Sequence, residues 1–93
     1  MGVEAVLTNA EHPVSWAMLM YELADAREHL GVLIDQMAAE GAIEEPDFQT
    51  QLGHVFAHLN RVWHGRNDTR LDEVSGVLHV ERSKFPDDLS PVG

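Results

Sequence analysis

Cysteine is absent from all 93 residues, which excludes disulfides, thiolate catalysis and Cys-ligated zinc or iron–sulfur centres. A reducing compartment is the default for such a chain. Basic residues are scarce as well. Six Lys and Arg stand against 16 Asp and Glu, a formal net charge of −10, so the surrounding field repels nucleic-acid phosphates and anionic membrane surfaces. Direct nucleic-acid binding and membrane binding are therefore not expected. The negative surface favours solubility and is compatible with a basic protein partner. Long apolar runs are missing too. The uncharged stretch PVSWAMLMY ends at Glu22, far short of the ~18 residues a transmembrane helix needs. MGVEAVLTNAEH has no basic segment ahead of its apolar residues, unlike a secretory signal, so the expected location is the cytoplasm.

Catalytic signatures are equally thin. There is no Gly-rich phosphate loop and no GxSxG, and Ser15, Ser75, Ser83 and Ser90 have no histidine beside them in sequence. HLNRVWH lacks the HExxH zinc-protease pattern, because Val55 follows His54 and Leu59 follows His58. An enzyme is the less expected class.

What is present is helical patterning in a single small domain. Trp16, Leu19, Leu23, Ala26, Leu30, Leu33 and Met37 follow one another at alternating spacings of three and four, which places them on one stripe of a helix over 13–40. Pro13 suits the first helical position, Ser15 suits the cap of a slightly later start, and Gly41 suits a left-handed stop. Pro46 and Asp47 open a second helix over 46–64, with the carboxylate at the positive end of the dipole. Its stripe is Phe48, Leu52, Val55, Leu59 and Val62, and Gly65 suits its end. The short link GAIEEPDF makes the two helices antiparallel neighbours.

The flanks carry weaker signals. Thr69 and Asp72 resemble a capping box, and 69–82 reads as a short helix or a strand, since the alternation in GVLHVERS is too brief to separate them. Residues 83–93, with two prolines and adjacent aspartates, read as a mobile tail, and residues 1–12 as a loose lead-in. The fold class is all-α: an antiparallel hairpin of two long amphipathic helices plus a short C-terminal element.

Two facing stripes do not bury enough apolar surface to make a domain. Met18, Met20, Val32 and Ile34 lie off the first stripe. Ala17, Ala24, Gly31 and Ala38, seven apart, form a smooth strip that another helix can approach, and Phe56 and Trp63 lie beside the second stripe. Either the C-terminal segment covers this surplus or a second copy does. The expected answer is a homodimer, a four-helix bundle with Ala17, Met20, Ala24, Gly31, Ile34, Ala38, Phe56 and Trp63 at its interface.

Histidine is concentrated in HVFAHLNRVWHG. His54 and His58 are four apart, as are Asp25 and His29 on the first helix, so each pair shares a helix face. If the turn pairs Glu40 with Asp47, antiparallel register sets His29 level with His58, on a flank that also holds Glu22, Gln36 and Gln51. Asp25, His29, His54 and His58 are thereby candidates to hold a divalent transition metal; no other cofactor is implied. The plainer alternative is an ion pair between Asp25 and Arg61, with the imidazoles packed and hydrogen-bonded. His64 suits the negative end of the second helix.

Three functions fit these features. A small acidic interaction or regulatory module asks least of the residues. A metal-binding helical protein uses the histidine flank. An acidic mimic of DNA needs carboxylates spaced along an exposed face, whereas here they gather at the turn, as Glu40, Glu44, Glu45 and Asp47, and in the C-terminal third.

Overall fold

The computed structural model describes residues 7–69 and 76–93. Its regular elements are all helical among these residues: α1 over Pro13–Glu40, α2 over Glu45–Gly65 and α3 over Gly76–Arg82. None is long and apolar enough to cross a membrane.

The punctuation residues account for the boundaries. Pro13 opens α1 without a side-chain cap, its missing N–H costing nothing where no intrahelical acceptor exists. Ser15 does not delay the start; it lies buried inside the first turns. At the other end Gly41 sits at φ 68°, ψ 9° and returns its N–H to the Met37 carbonyl, the left-handed stop that a Cβ would strain. α2 begins one residue before Pro46, and both Glu45 and Asp47 fall in its first turn, where negative charge meets the positive end of the dipole. The segment with the ambiguous alternation is a helix over its C-terminal half. Asp72, the far half of the expected capping box, lies outside the described residues.

α1 and α2 pack along their length as an antiparallel pair, and α3 rests on α2. Leu19, Ala26 and Leu33, seven apart, are buried against α2, whose buried apolar residue is Val55. The companion row of the α1 stripe is only half covered: Leu23, Leu30 and Met37 are 41%, 40% and 40% exposed, and Leu59 on α2 is 40% exposed. Leu7 and the C-terminal segment both meet the C-terminal half of α2. Leu7 is buried and donates its N–H to the Arg66 carbonyl at 3.2 Å. From the C-terminal segment, Phe85 meets Phe56 with ring centroids 5.3 Å apart, Asp88 accepts the Trp63 indole N–H at 2.8 Å, and the Ser83 carbonyl accepts from buried Asn60 at 2.8 Å.

Candidate metal centre

One flank of the α1–α2 seam is polar from end to end. Near the turn, the Gln36 amide donates to Asp47 at 3.0 Å, and the Gln51 amide donates to Gln36 at 2.7 Å and to Asp47 at 3.0 Å. These two amide donors hold the Asp47 carboxyl below its usual value despite some desolvation. One tier further, His29 projects from α1 toward His54 and His58 on α2. At the far end Glu22 meets His58 and Arg61. The hairpin register accounts for the order: Gln36 bonds Gln51, and the His29 ring meets His54 at 4.0 Å and His58 at 5.4 Å, where the sequence sets it level with His58.

The three imidazoles form one cluster. Ring centroids lie 4.0 Å apart for His29 and His54, 5.4 Å for His29 and His58, and 4.9 Å for His54 and His58. One ring nitrogen from each falls within 4.8 Å of the others. His58 is buried, at 7% exposure, His29 is half-buried and His54 is exposed. His58 stacks on His29 and on His54, with interplanar angles of 15° and 18°, and His29 and His54 are tilted by 33°. Turning His29 and His54 about their broad χ2 torsions brings them toward a common point.

His58 is the fixed member. Its Nδ1 stands 2.8 Å from Glu22 Oε1 and 3.0 Å from Arg61 Nη2. A carboxylate only accepts and a guanidinium only donates, and we assign the Nδ1 proton to the shorter contact, with Glu22. In the neutral ring Nε2 then holds the lone pair. That Nε2 is buried and has no hydrogen-bond partner among the described residues. A carboxylate on one imidazole nitrogen and an open lone pair on the other is the arrangement by which proteins orient a metal-ligating histidine.

Glu22 is held in turn by Arg61, which donates from Nε to Oε2 and, at 3.2 Å, from Nη2 to Oε1; its Nη1 donates to Ser83 Oγ at 2.6 Å. Partial burial would raise the Glu22 carboxyl, but the hydrogen bonds from Arg61 and His58 and the guanidinium charge outweigh it and hold the group below its ordinary 4.5. His54 is pushed down from 6.5 by desolvation and by the neighbouring His29, His58 and Arg61, with Asp25 pulling the other way. Its lone pair is therefore available at neutral pH.

Of the residues expected at a metal site, His29, His54 and His58 come together in one set. Asp25, which is exposed, belongs to a second set with Glu22 and His58 and does not join all three imidazoles. The expected Asp25–Arg61 pair is replaced by Glu22–Arg61. Glu22 lies a turn nearer the start of α1, and its longer stem lets both oxygens meet the guanidinium. Sequence placed Glu22 on this flank but not in the site; its spacing of three and then four to Asp25 and His29 was the available signal.

The residues expected at an interface divide into two groups. Phe56 and Trp63 meet the C-terminal segment, and the Arg66 guanidinium lies 3.7 Å over the Trp63 ring. Ala17, Met20, Ala24, Ile34 and Ala38 are exposed, and a Cβ added at half-buried Gly31 would meet nothing within 4 Å. His64 donates from Nε2 to the Lys84 carbonyl at 3.0 Å, joining the end of α2 to the C-terminal segment. Comparison with known proteins adds no family and no relative: no family model matches this chain, and neither a curated protein nor a solved structure does.

Proposed function

We propose that this protein binds a divalent transition-metal ion through His29, His54 and His58. The observation that carries this reading is the His58 ring: buried, with Nδ1 against Glu22 and Nε2 without a hydrogen-bond partner among the described residues, in one cluster with two further imidazoles. A buried polar atom without a partner costs about 1–3 kcal/mol, and a bound ion removes that cost. Imidazole nitrogen suits Zn²⁺, Ni²⁺ or Cu²⁺ better than the oxygen-seeking Ca²⁺ or Mg²⁺. Stoichiometric Zn²⁺ or Ni²⁺ should raise the melting temperature of the untagged chain. Replacing exposed His54 by Ala should abolish the gain without loss of helicity. An increase of equal size in His54→Ala and the parent would contradict the reading.

A second reading concerns the opposite flank. The half-covered row Leu23, Leu30, Met37 and Leu59, with Met20 and Ile34 at 50% and 56% exposure, favours a second copy packed on α1, making a four-helix bundle of two hairpins. In this reading the dimer is the scaffold of an acidic interaction module whose partner is basic. Sedimentation equilibrium at micromolar concentration tests it: a dimer that Ala24→Glu converts to monomer is expected, and a well-folded monomer of the parent chain rejects it.

A further inference from the structure

We propose that the ion held by His29, His54 and His58 keeps one coordination position that exchanges between water and small anions. The inference rests on the metal-binding reading above and adds to it that the site is open, not closed by a fourth side chain.

Three neutral imidazoles leave a divalent ion with its full charge and, in tetrahedral geometry, with one position to fill. Glu22, the carboxylate nearest His58, is otherwise committed. Glu22 Oε1 accepts from His58 Nδ1 and Arg61 Nη2, and Oε2 accepts from Arg61 Nε. Moving Glu22 onto the ion would release the His58 proton from its acceptor and strip a guanidinium that is 12% exposed of its counter-charge. Asp25 reaches His58 and Glu22, but no oxygen of it joins the set formed by one nitrogen from each histidine. No fourth protein ligand stands in that set among the described residues.

The remaining position has a route to solvent. His54 is exposed while His58 is buried, so the ion's outer side is the side of His54. Structural zinc sites are closed by four side chains, whereas sites with three protein ligands and a solvent ligand take exchangeable molecules. The ligand class is therefore a water or a small monodentate anion such as azide or a carboxylate.

Co²⁺ is the probe, because its visible absorption reports both binding and the identity of the fourth ligand. The untagged full chain titrated with Co²⁺ should develop the bands of a tetrahedral complex, and His54→Ala should lose them. Azide added to the Co²⁺-loaded protein should shift the bands saturably, and Asp25→Asn should show the same shift. Bands that stay fixed in the parent but move in Asp25→Asn would make Asp25 the fourth ligand and overturn the open position while leaving the metal site intact. Bands that move in neither protein overturn it as well. Absence of Co²⁺ bands in the parent overturns the metal-binding reading and this inference together.

Discussion

The two flanks of the α1–α2 seam are built on opposite principles. On one, Gln36, Asp47, Gln51, Glu22, His58 and Arg61 satisfy one another through directed amide, imidazole and guanidinium hydrogen bonds. On the other, Leu23, Leu30, Met37 and Leu59 stand about half open. Between them runs a thin buried line of Leu19, Ala26, Leu33 and Val55. The apolar line supplies non-directional stabilisation. The polar flank fixes register, because a slip of one residue would separate every donor from its acceptor. Alternative partnerships are available to a helix pair held by a smooth apolar seam, and far fewer to one that must align three polar tiers.

Substitutions should sharpen this contrast. Leu33, at 3% exposure, lies mid-seam, and Leu33→Ala should cost about 2–5 kcal/mol through lost burial and a residual cavity, measured by urea denaturation. Glu22→Gln should cost less, about 1–2 kcal/mol after allowance for solvent screening of a partly exposed group. It should weaken Zn²⁺ binding by about 10-fold or more, since the histidine loses its orienting carboxylate. A Glu22→Gln variant with normal metal affinity would show that the carboxylate serves the fold alone. Gln51→Ala, on the outer tier, should cost about 0.5–1 kcal/mol and leave metal affinity unchanged.

Acid separates the flanks by a smaller margin. The folded state disfavours a proton on His54, whose ordinary value is 6.5. As pH falls below that value the unfolded chain takes up protons that the folded chain refuses, and stability drops. Glu22 acts lower down: its folded-state value lies below 4.5, so its contribution is complete above that pH and is lost as pH falls further. Stability of the metal-free protein should thus fall in two stages as pH is lowered, the upper one disappearing in His54→Gln and the lower one in Glu22→Gln. A stability profile that stays flat from pH 7 to about 5 would contradict the upper stage.

Much of the polar flank was legible in the sequence because a helical hairpin has few degrees of freedom. Two periodic stripes, a Gly stop and a Pro start set the register, and the register put Gln36, Gln51, His29 and His58 on one flank. Two features were not legible at that level. Arg61 had Asp25 and Glu22 within a turn of each other, and the choice between them depends on side-chain reach, which spacing does not encode. The helix at Gly76–Arg82 was undecided because seven residues hold barely two turns of one period, and its contact with α2 stabilises what the local pattern leaves ambiguous. Phe85 and Asp88 likewise gained partners on α2 that only the folded chain brings near.

The central claim is that the His58 Nε2 lone pair is a metal ligand and its Nδ1 proton a fixture of Glu22. Long-range ¹⁵N–¹H correlation of the histidine rings tests both statements in one titration. In the metal-free protein at neutral pH, His58 should show a protonated Nδ1 and an unprotonated Nε2. Adding one equivalent of Zn²⁺ should move the Nε2 resonance, leave the Nδ1 proton in place, and shift ring nitrogens of His29 and His54 at the same stoichiometry. A His58 ring protonated at Nε2, or three rings unmoved by excess Zn²⁺, would contradict the account.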